Sequence, residues 1–187
     1  MGDWPTRDEA QTVLDEWTEN ENLKKHAYAV EAAMRAYAEA LGGDPQKWGV
    51  VGLLHDFDYE RYPSAEDHPY RGAEYLRQRG MPEDLVEGLL AHAEYSGVER
   101  DTPLKRAIFA VDELTGLIVA VALVRPSRKL ADVTVQSVMK KWDDRRFAAG
   151  VDRKLIEQGA EELGVPLEAH VETVLSAMQG IAERLGL

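Results

Sequence analysis

Four of the chain's five histidines, together with two aspartates, have the residue types and positions expected of metal ligands. Imidazole nitrogen combined with carboxylate oxygen suits iron, manganese, cobalt, nickel or zinc better than calcium, which prefers oxygen alone. One of the aspartates lies in the longest apolar stretch, where an unpartnered carboxylate would cost several kcal/mol. The set is large enough for one or two divalent metal ions. It comprises His26, His55, Asp56, His68, His92 and Asp112.

The elements that must position these residues are all predicted to be helices. Apolar residues recur every three or four positions in most segments, and no stretch alternates for long enough to predict a sheet. We therefore expect an all-α, single-domain helical bundle over residues 1–187. Residues from about 22 to 125 would hold the metal-binding core, and helices from about 130 to 187 would complete the bundle.

The first ligands lie on two consecutive predicted helices. His26 falls on the apolar stripe of a helix over residues 22–41, and the pair His55-Asp56 ends the following helix. Adjacent residues in a regular helix point in different directions, so this pair can share a metal only beyond a fraying helix end. A single histidine on an apolar stripe is more often a hydrogen-bonded core residue, and that alternative stays open for His26.

The remaining ligands are predicted at helix ends and in a buried helix. His68 starts a helix and is most simply a turn residue, while His92 near a helix end would favour the negative end of the helix dipole. Asp112 lies in a helix over residues 107–124 that we expect to be buried nearly all round. His170 is predicted to be a surface residue. The coincidence of imidazoles at helix ends and inner faces beside Asp112 favours metal binding over separate explanations.

This order of residues resembles a known superfamily. His26, then His55-Asp56, then Asp112 in an apolar helix is similar to the HD superfamily of metal-dependent phosphohydrolases. The resemblance covers roughly residues 22–125 and implies an all-α fold. The longer string over residues 55–60 also resembles a bacterial subgroup of predicted HD hydrolases, for which we assign no substrate.

The resemblance also implies how the ligands divide between two ions. Asp56 would bridge from the first ion to a second one, which His68 and His92, the intermediate histidines of the binuclear branches, would hold. Two such ions lower the pKa of a bound water and neutralise a phosphoryl group. The first ion would be held by His26, His55, Asp56 and Asp112.

The function that follows is a metal-dependent phosphohydrolase acting on a small phosphorylated metabolite or nucleotide. Two alternatives stay open. The same four histidines and two aspartates resemble the di-iron oxygenases that share the HD fold, and ligand types alone do not separate the two reactions. The other alternative is a non-catalytic HD domain that binds a ligand, although the complete ligand set argues against it.

Residues next to the aspartate of the doublet are further candidates for the site. Besides Asp56, we predict catalytic roles for Asp58 and Glu60 and a substrate contact for Tyr59. They would act in proton transfer or as partners that orient ligand imidazoles. The alternative is an ordinary acidic surface loop.

Acidic residues outnumber basic ones, 34 against 22, and give the chain a net charge of −12. This argues against nucleic acid and anionic membranes as partners, because both are bound through basic groups. A small phosphorylated substrate stays compatible, since a bound dication reverses the local field. The densest basic cluster is predicted to receive the substrate phosphate, with solvation of a helix end as the alternative. It consists of Arg125, Arg128 and Lys129.

Cysteine is absent, which excludes disulfides, thiolate nucleophiles and cysteine zinc sites. Residues 1–5 lack the basic start and apolar core of a signal peptide. The apolar run before Val124 is too short and too charged for a membrane span. We therefore expect a cytoplasmic protein, and the sequence leaves a homodimer open.

Asp112 provides the first test of metal binding. The substitution Asp112→Asn keeps the shape of the side chain but removes the anion that offsets a dication. We expect a chelator to lower the melting temperature of the wild-type protein, because a bound ion stabilises the folded state by mass action. The chelator should not change the melting temperature of Asp112→Asn. Equal chelator-induced shifts in the two proteins would remove Asp112 from the site.

Overall fold

A computed structural model describes residues 3–187, and within them the chain forms ten α-helices and no strand. The predicted all-α, single-domain fold is confirmed. Two short 3₁₀ turns, Glu94–Ser96 and Leu130–Asp132, interrupt the connections. The helices are α1 Arg7–Trp17, α2 Glu21–Leu41, α3 Pro45–Leu54, α4 Tyr70–Gln78, α5 Glu83–Leu90, α6 Pro103–Leu123, α7 Val135–Met139, α8 Arg153–Leu163, α9 Leu167–Gln179 and α10 Ala182–Leu185.

Local sequence signals set most of the helix ends. Thr6 forms a capping box with Glu9 at the start of α1, and Asp44 accepts hydrogen bonds from the first turn of α3. Gly42 ends α2 in the left-handed conformation, which costs glycine little because it has no Cβ. Thr102 caps α6 with a proline in its first turn. These ends fix which ligands lie on helices and which lie just beyond them.

The two longest helices, α2 and α6, form the centre of the bundle. Helix α3 packs along α2, α8 packs along α6, and α9 contacts both long helices. The crossing of α2 and α3 is close because a Cβ on Gly52 would lie 2.9 Å from the carbonyl oxygen of Val30. His26 lies one turn before Val30 and His55 lies one turn after Gly52. The close crossing therefore brings these two histidines together.

The structure corrects the prediction that His170 is a surface residue. Its side chain is fully buried, with Nε2 donating to the carbonyl oxygen of Ala110 at 2.9 Å. Nδ1 then accepts a hydrogen bond from the hydroxyl of Tyr37. Burial lowers the pKa of His170 to about 4, so the ring stays neutral at pH 7. His170 thereby connects α9 to α2 and to α6, two residues before Asp112.

Helix α6 is less enclosed than the sequence predicted. Its apolar faces are buried, but Asp112, Glu113 and Gly116 lie on a partly exposed stripe. The side chain of Asp112 keeps 21% exposure because this stripe borders an open cavity.

Within residues 3–187, none of the helices combines the length and the apolar character that crossing a bilayer requires.

The packing of α8 on α6 provides a test of the fold. A Cβ on Gly159 would lie 2.5 Å from Cα of Ala110 and 2.7 Å from its Cβ, and backbone cannot easily move away. We expect Gly159→Ala to lower the free energy of unfolding by about 1–3 kcal/mol through overpacking.

The matched control is Gly116→Ala on α6, where the nearest atom, Cγ2 of Val151, lies at 3.8 Å. This substitution should raise the free energy of unfolding by about 0.5–1 kcal/mol, because alanine favours a helix interior over glycine. Urea denaturation of both variants measures the difference. Equal effects in the two would contradict the close crossing of α6 and α8.

Candidate metal centre

Three helices bring together a first group of ligand atoms. His26 lies on α2, His55 directly follows α3 with helical backbone angles, and Asp112 lies on α6. The Nε2 atoms of the two histidines are 3.1 Å apart. Oδ1 of Asp112 lies 3.0 Å from Nε2 of His26 and 3.4 Å from Nε2 of His55. These residues form one of two groups with metal-ligand geometry.

A second group forms beside the first from residues that lie just outside helices. Asp56 follows α3, His68 precedes α4, and His92 follows the end of α5 rather than lying in its last turn. The Nε2 atoms of His68 and His92 are 3.2 Å apart. Oδ1 of Asp56 lies 3.2 Å from each of them. The three ligand atoms thus form a nearly equilateral triangle.

Asp56 links the two groups through its two carboxylate oxygens. Oδ1 faces the second group, whereas Oδ2 lies 3.8 Å from Nε2 of His26 and 3.5 Å from Nε2 of His55. A carboxylate oriented in this way is a natural bridge between two cations. The structure therefore gathers all six predicted ligands around this one side chain.

All four histidines direct Nε2 toward the centre and use Nδ1 elsewhere. Each Nδ1 meets an acceptor, which assigns its proton to that nitrogen and leaves a lone pair on Nε2. Thr115 is an acceptor because its own hydroxyl donates to the carbonyl oxygen of Asp112. The partners of Nδ1 are Thr115 Oγ1 at 3.3 Å for His26, the carbonyl of Gly52 at 2.8 Å for His55, Asp58 Oδ1 at 2.8 Å for His68 and the carbonyl of Leu89 at 2.6 Å for His92.

This donor set fits divalent transition metals. Ligand atoms bound at about 2.1 Å to one ion are separated by about 3.0–3.4 Å when the angles between them are octahedral or tetrahedral. The separations in the first group run from 3.0 to 3.4 Å, and those in the second are all 3.2 Å. Imidazole and carboxylate ligands match iron, manganese, cobalt, nickel or zinc.

The electrostatics of the cluster also favour a cation. Burial opposes a charge on His55, but the carboxylates of Asp56 and Asp112 raise its pKa well above the usual value. Burial likewise opposes a charge on His68, and Asp56 and Asp58 still raise its pKa to about 9. Burial favours the neutral form of Asp112, whereas the adjacent imidazoles hold its pKa below the usual range. Protons and metal ions therefore compete for the same lone pairs.

Four of the six candidate ligands line a cavity of about 260 Å³, whereas His26 and His55 lie behind its wall. Larger surface depressions, such as one of about 500 Å³ near Trp4 and Met81, contain none of the six candidate ligands. The cavity wall is mostly aromatic and acidic. The lining residues are Asp56, Tyr59, His68, His92, Ala93, Glu94, Tyr95, Phe109, Asp112, Glu113 and Leu155.

The loop after the doublet divides between the site and the surface. Asp58 is fully buried and accepts hydrogen bonds from Nδ1 of His68 and from the backbone N–H of Gly72, so it orients an imidazole and does not line the cavity. Tyr59 lines the cavity with its ring edge-on to His68. Both placements agree with part of what the sequence suggested.

Glu60 does not line the cavity, and its predicted catalytic role stays a prediction. Its carboxylate accepts hydrogen bonds from the backbone N–H groups of Glu19 at 2.8 Å and Asn20 at 3.0 Å. These groups precede the first turn of α2, where a negative charge is favourable. Glu60 therefore stabilises the start of the helix that carries His26.

The basic cluster Arg125, Arg128 and Lys129 follows the C-terminal end of α6, and its predicted contact with a phosphate stays a prediction. The last residue of that helix, Leu123, lies about 16 Å along the helix axis from Asp112. None of the three basic residues lines the cavity. Their position favours the alternative reading, in which basic side chains solvate the negative end of a helix.

Three residues of the site were not predicted from the sequence. Thr115 supports His26, and Tyr95 and Glu113 line the cavity. Burial, aided by the charge of Asp112, raises the pKa of Glu113 to about 7. A second acidic residue in an apolar helix was a signal that could have found Glu113. Thr115, one turn after Asp112, and Tyr95 in an irregular loop offered no comparable signal.

Comparison with known proteins gives one family match. The family model of the HD domain matches residues 23–117, a range that includes all six candidate ligands. No curated protein matches the chain.

Asp58 and Glu60 provide a matched test of the second group. The substitution Asp58→Asn places an amide against the two N–H groups of His68 and Gly72, so one of them loses its acceptor. We expect the affinity of the second metal ion to fall by roughly 10–100-fold, as for other partners that orient ligand imidazoles. The affinity of the first ion should stay close to that of the wild type.

Glu60→Gln is the control, since it changes a carboxylate of the same loop outside the cavity. Manganese titration followed by calorimetry measures both affinities. If Asp58→Asn binds both ions as the wild type does, Asp58 has no role in orienting His68 for a metal.

Proposed function

Because the chain belongs to the HD-domain family, as its sequence resemblance predicted, we propose that it is a metal-dependent phosphohydrolase. Its substrate would be a small phosphorylated metabolite or nucleotide. The observation that carries this proposal is the position of Asp56, whose two oxygens face two complete groups of ligand atoms. A site of this kind suits the transfer of a phosphoryl group to water.

The metal ions, when bound, polarise a phosphoryl oxygen, lower the pKa of a water and neutralise developing negative charge. The protein residues hold the ligands in place. Carbonyl groups of Gly52 and Leu89 fix the rings of His55 and His92, and Asp58 fixes that of His68. The ring positions therefore depend on backbone and buried partners and are set before any ligand enters, which reduces the reorganisation that binding requires.

The charge of the cavity supports an anionic substrate only when cations are present. Glu94 and Glu113 line it together with the ligand carboxylates, and the chain as a whole carries −12. Protonated His68 offsets part of this negative charge in the absence of metal, and bound dications would reverse the sign of the local field. Metal loading and substrate binding are thus expected to be coupled.

A di-iron oxygenase is the second candidate, because the complete set of four histidines and two aspartates serves iron equally well. The two functions differ in their need for oxygen and for iron. Full activity with manganese under nitrogen would exclude the oxygenase, and iron-dependent oxygen consumption would favour it. A non-catalytic role is disfavoured by the completeness of both ligand groups.

The test of the proposed function is a screen of phosphoesters with metal-free protein reloaded with each candidate metal. We expect hydrolysis that a chelator abolishes and that manganese or another dication restores. Asp56→Ala should lose activity to a greater extent than His68→Ala, because Asp56 faces both groups and His68 only one. Rates are compared at equal, saturating metal.

Tyr62→Leu is the matched control for damage to the fold, since Tyr62 is exposed and lies against Trp17, outside the cavity. It should retain wild-type rates. If protein with two bound ions hydrolyses no member of a broad phosphoester panel, the proposed function is wrong.

A further inference from the structure

We propose that the ligand of this cavity carries a single phosphoryl group attached to a small aromatic group, and that Tyr95 selects it together with Tyr59 and Phe109. The phosphoryl part rests on the proposed function. The aromatic part and the limit to one phosphoryl group rest on the cavity wall. The cavity wall has two tyrosines held by hydrogen bonds or ring contacts and a phenyl ring supported by an arginine. Within residues 3–187 it contains no lysine or arginine, and the cavity is small.

Two tyrosines at the cavity mouth are held in place yet keep much of their surface free. The hydroxyl of Tyr95 donates to the carbonyl oxygen of His68 at 3.2 Å, while 52% of the residue is exposed. Tyr70 donates to the carbonyl oxygen of Tyr95 at 3.2 Å and fixes the backbone of that turn. The ring of Tyr59 lies edge-on to His68, 5.2 Å between centroids, and the residue is 40% exposed. Exposed, ordered rings beside a ligand imidazole are suited to contact an aromatic group.

Phe109 continues this wall toward the interior. Its ring is almost fully buried and lines the cavity, together with the apolar side chain of Leu155. The guanidinium of Arg100 lies 3.8 Å from the centroid of the ring and supports it through a cation–π contact. An aromatic or apolar group on the ligand would therefore contact apolar side chains on more than one side.

The guanidinium that supports the ring of Phe109 is not free to bind a phosphate. Arg100 forms a bidentate ion pair with Glu162, with N–O distances of 2.6 and 2.7 Å. Within residues 3–187, neither lysine nor arginine lines the cavity, whereas Glu94 and Glu113 do. Proteins that hold di- and triphosphates place lysine and arginine around the chain of phosphates. Here the cations that the candidate ligands hold would balance the charge of the phosphate, which suits one phosphoryl group and opposes a polyphosphate.

The volume of the cavity favours a compact ligand. At about 260 Å³, it lies below the roughly 300–1,000 Å³ typical of pockets for drug-sized ligands. One phosphoryl group and one ring suit such a space. The inference narrows the proposed substrate class from phosphorylated metabolites in general to small aryl phosphomonoesters.

The experiment measures binding of non-hydrolysable probes to the manganese-loaded protein by calorimetry. The probes are phenylphosphonate, methylphosphonate and tripolyphosphate, the last presented as its manganese complex so that it does not strip the site. We expect phenylphosphonate to bind roughly three- to tenfold more tightly than methylphosphonate, the gain that an aromatic contact typically provides. Tripolyphosphate should bind more weakly than phenylphosphonate.

Substitutions test whether the cavity wall causes the preference for phenylphosphonate over methylphosphonate. Tyr95→Leu should remove most of the gain for phenylphosphonate and leave the affinity for methylphosphonate unchanged. Tyr95→Phe should retain the gain, because it keeps the ring and loses only the hydroxyl contact to His68. Tyr62→Leu, the exposed tyrosine outside the cavity, should match the wild type for every probe.

The outcomes separate this inference from the proposed function. Equal affinities for the two phosphonates, tighter binding of tripolyphosphate, or no binding of any phosphonate would overturn the inference. A Tyr95→Leu variant that behaves as Tyr62→Leu does would remove Tyr95 from the selection. Protein that prefers phenylphosphonate but hydrolyses no phosphoester would refute the proposed reaction and leave the ligand class standing.

Discussion

The central constraint in this structure is the convergence of four imidazole lone pairs on two carboxylates. The Nε2 atoms of His26 and His55 lie 3.1 Å apart, as close as a hydrogen-bonded pair, yet both rings carry their proton on Nδ1. Two lone pairs at that separation repel unless a positive charge lies between them. The fold therefore maintains a site that requires protons or metal ions.

Close helix packing makes the convergence possible. Gly52 lets α3 approach the backbone of α2, and Gly159 lets α8 approach α6 at Ala110. The neutral ring of buried His170 then connects α9 to the carbonyl of the same Ala110. Helices α8 and α9 lie beyond the residues that match the family model, but they hold the segment of α6 that presents Asp112. The C-terminal helices thus contribute to the geometry of a site to which they supply no ligand.

The sequence predicted the features that depend on local chemistry and on residue type. The helix starts at Thr6, Asp44 and Thr102 were predictable because capping side chains act within one turn. The candidate ligands were recognisable because imidazoles are concentrated near a carboxylate in an apolar helix. The sequence did not predict features that depend on contacts between residues far apart in the chain. His170 looked polar in a polar segment but meets acceptor and donor groups from two other helices, and Glu60 finds the backbone before α2 rather than the neighbouring cavity.

Charge is the property through which the site and its surroundings act together. Glu94 and Glu113 make part of the cavity wall acidic. Arg100, which is stacked on the cavity-lining ring of Phe109, is paired with Glu162. Under the proposed function, an anion in this cavity would be attracted mainly by the protons or metal ions that the candidate ligands hold. The uncharged rings of Tyr59, Tyr95 and Phe109 would then distinguish between phosphates by the group attached to them.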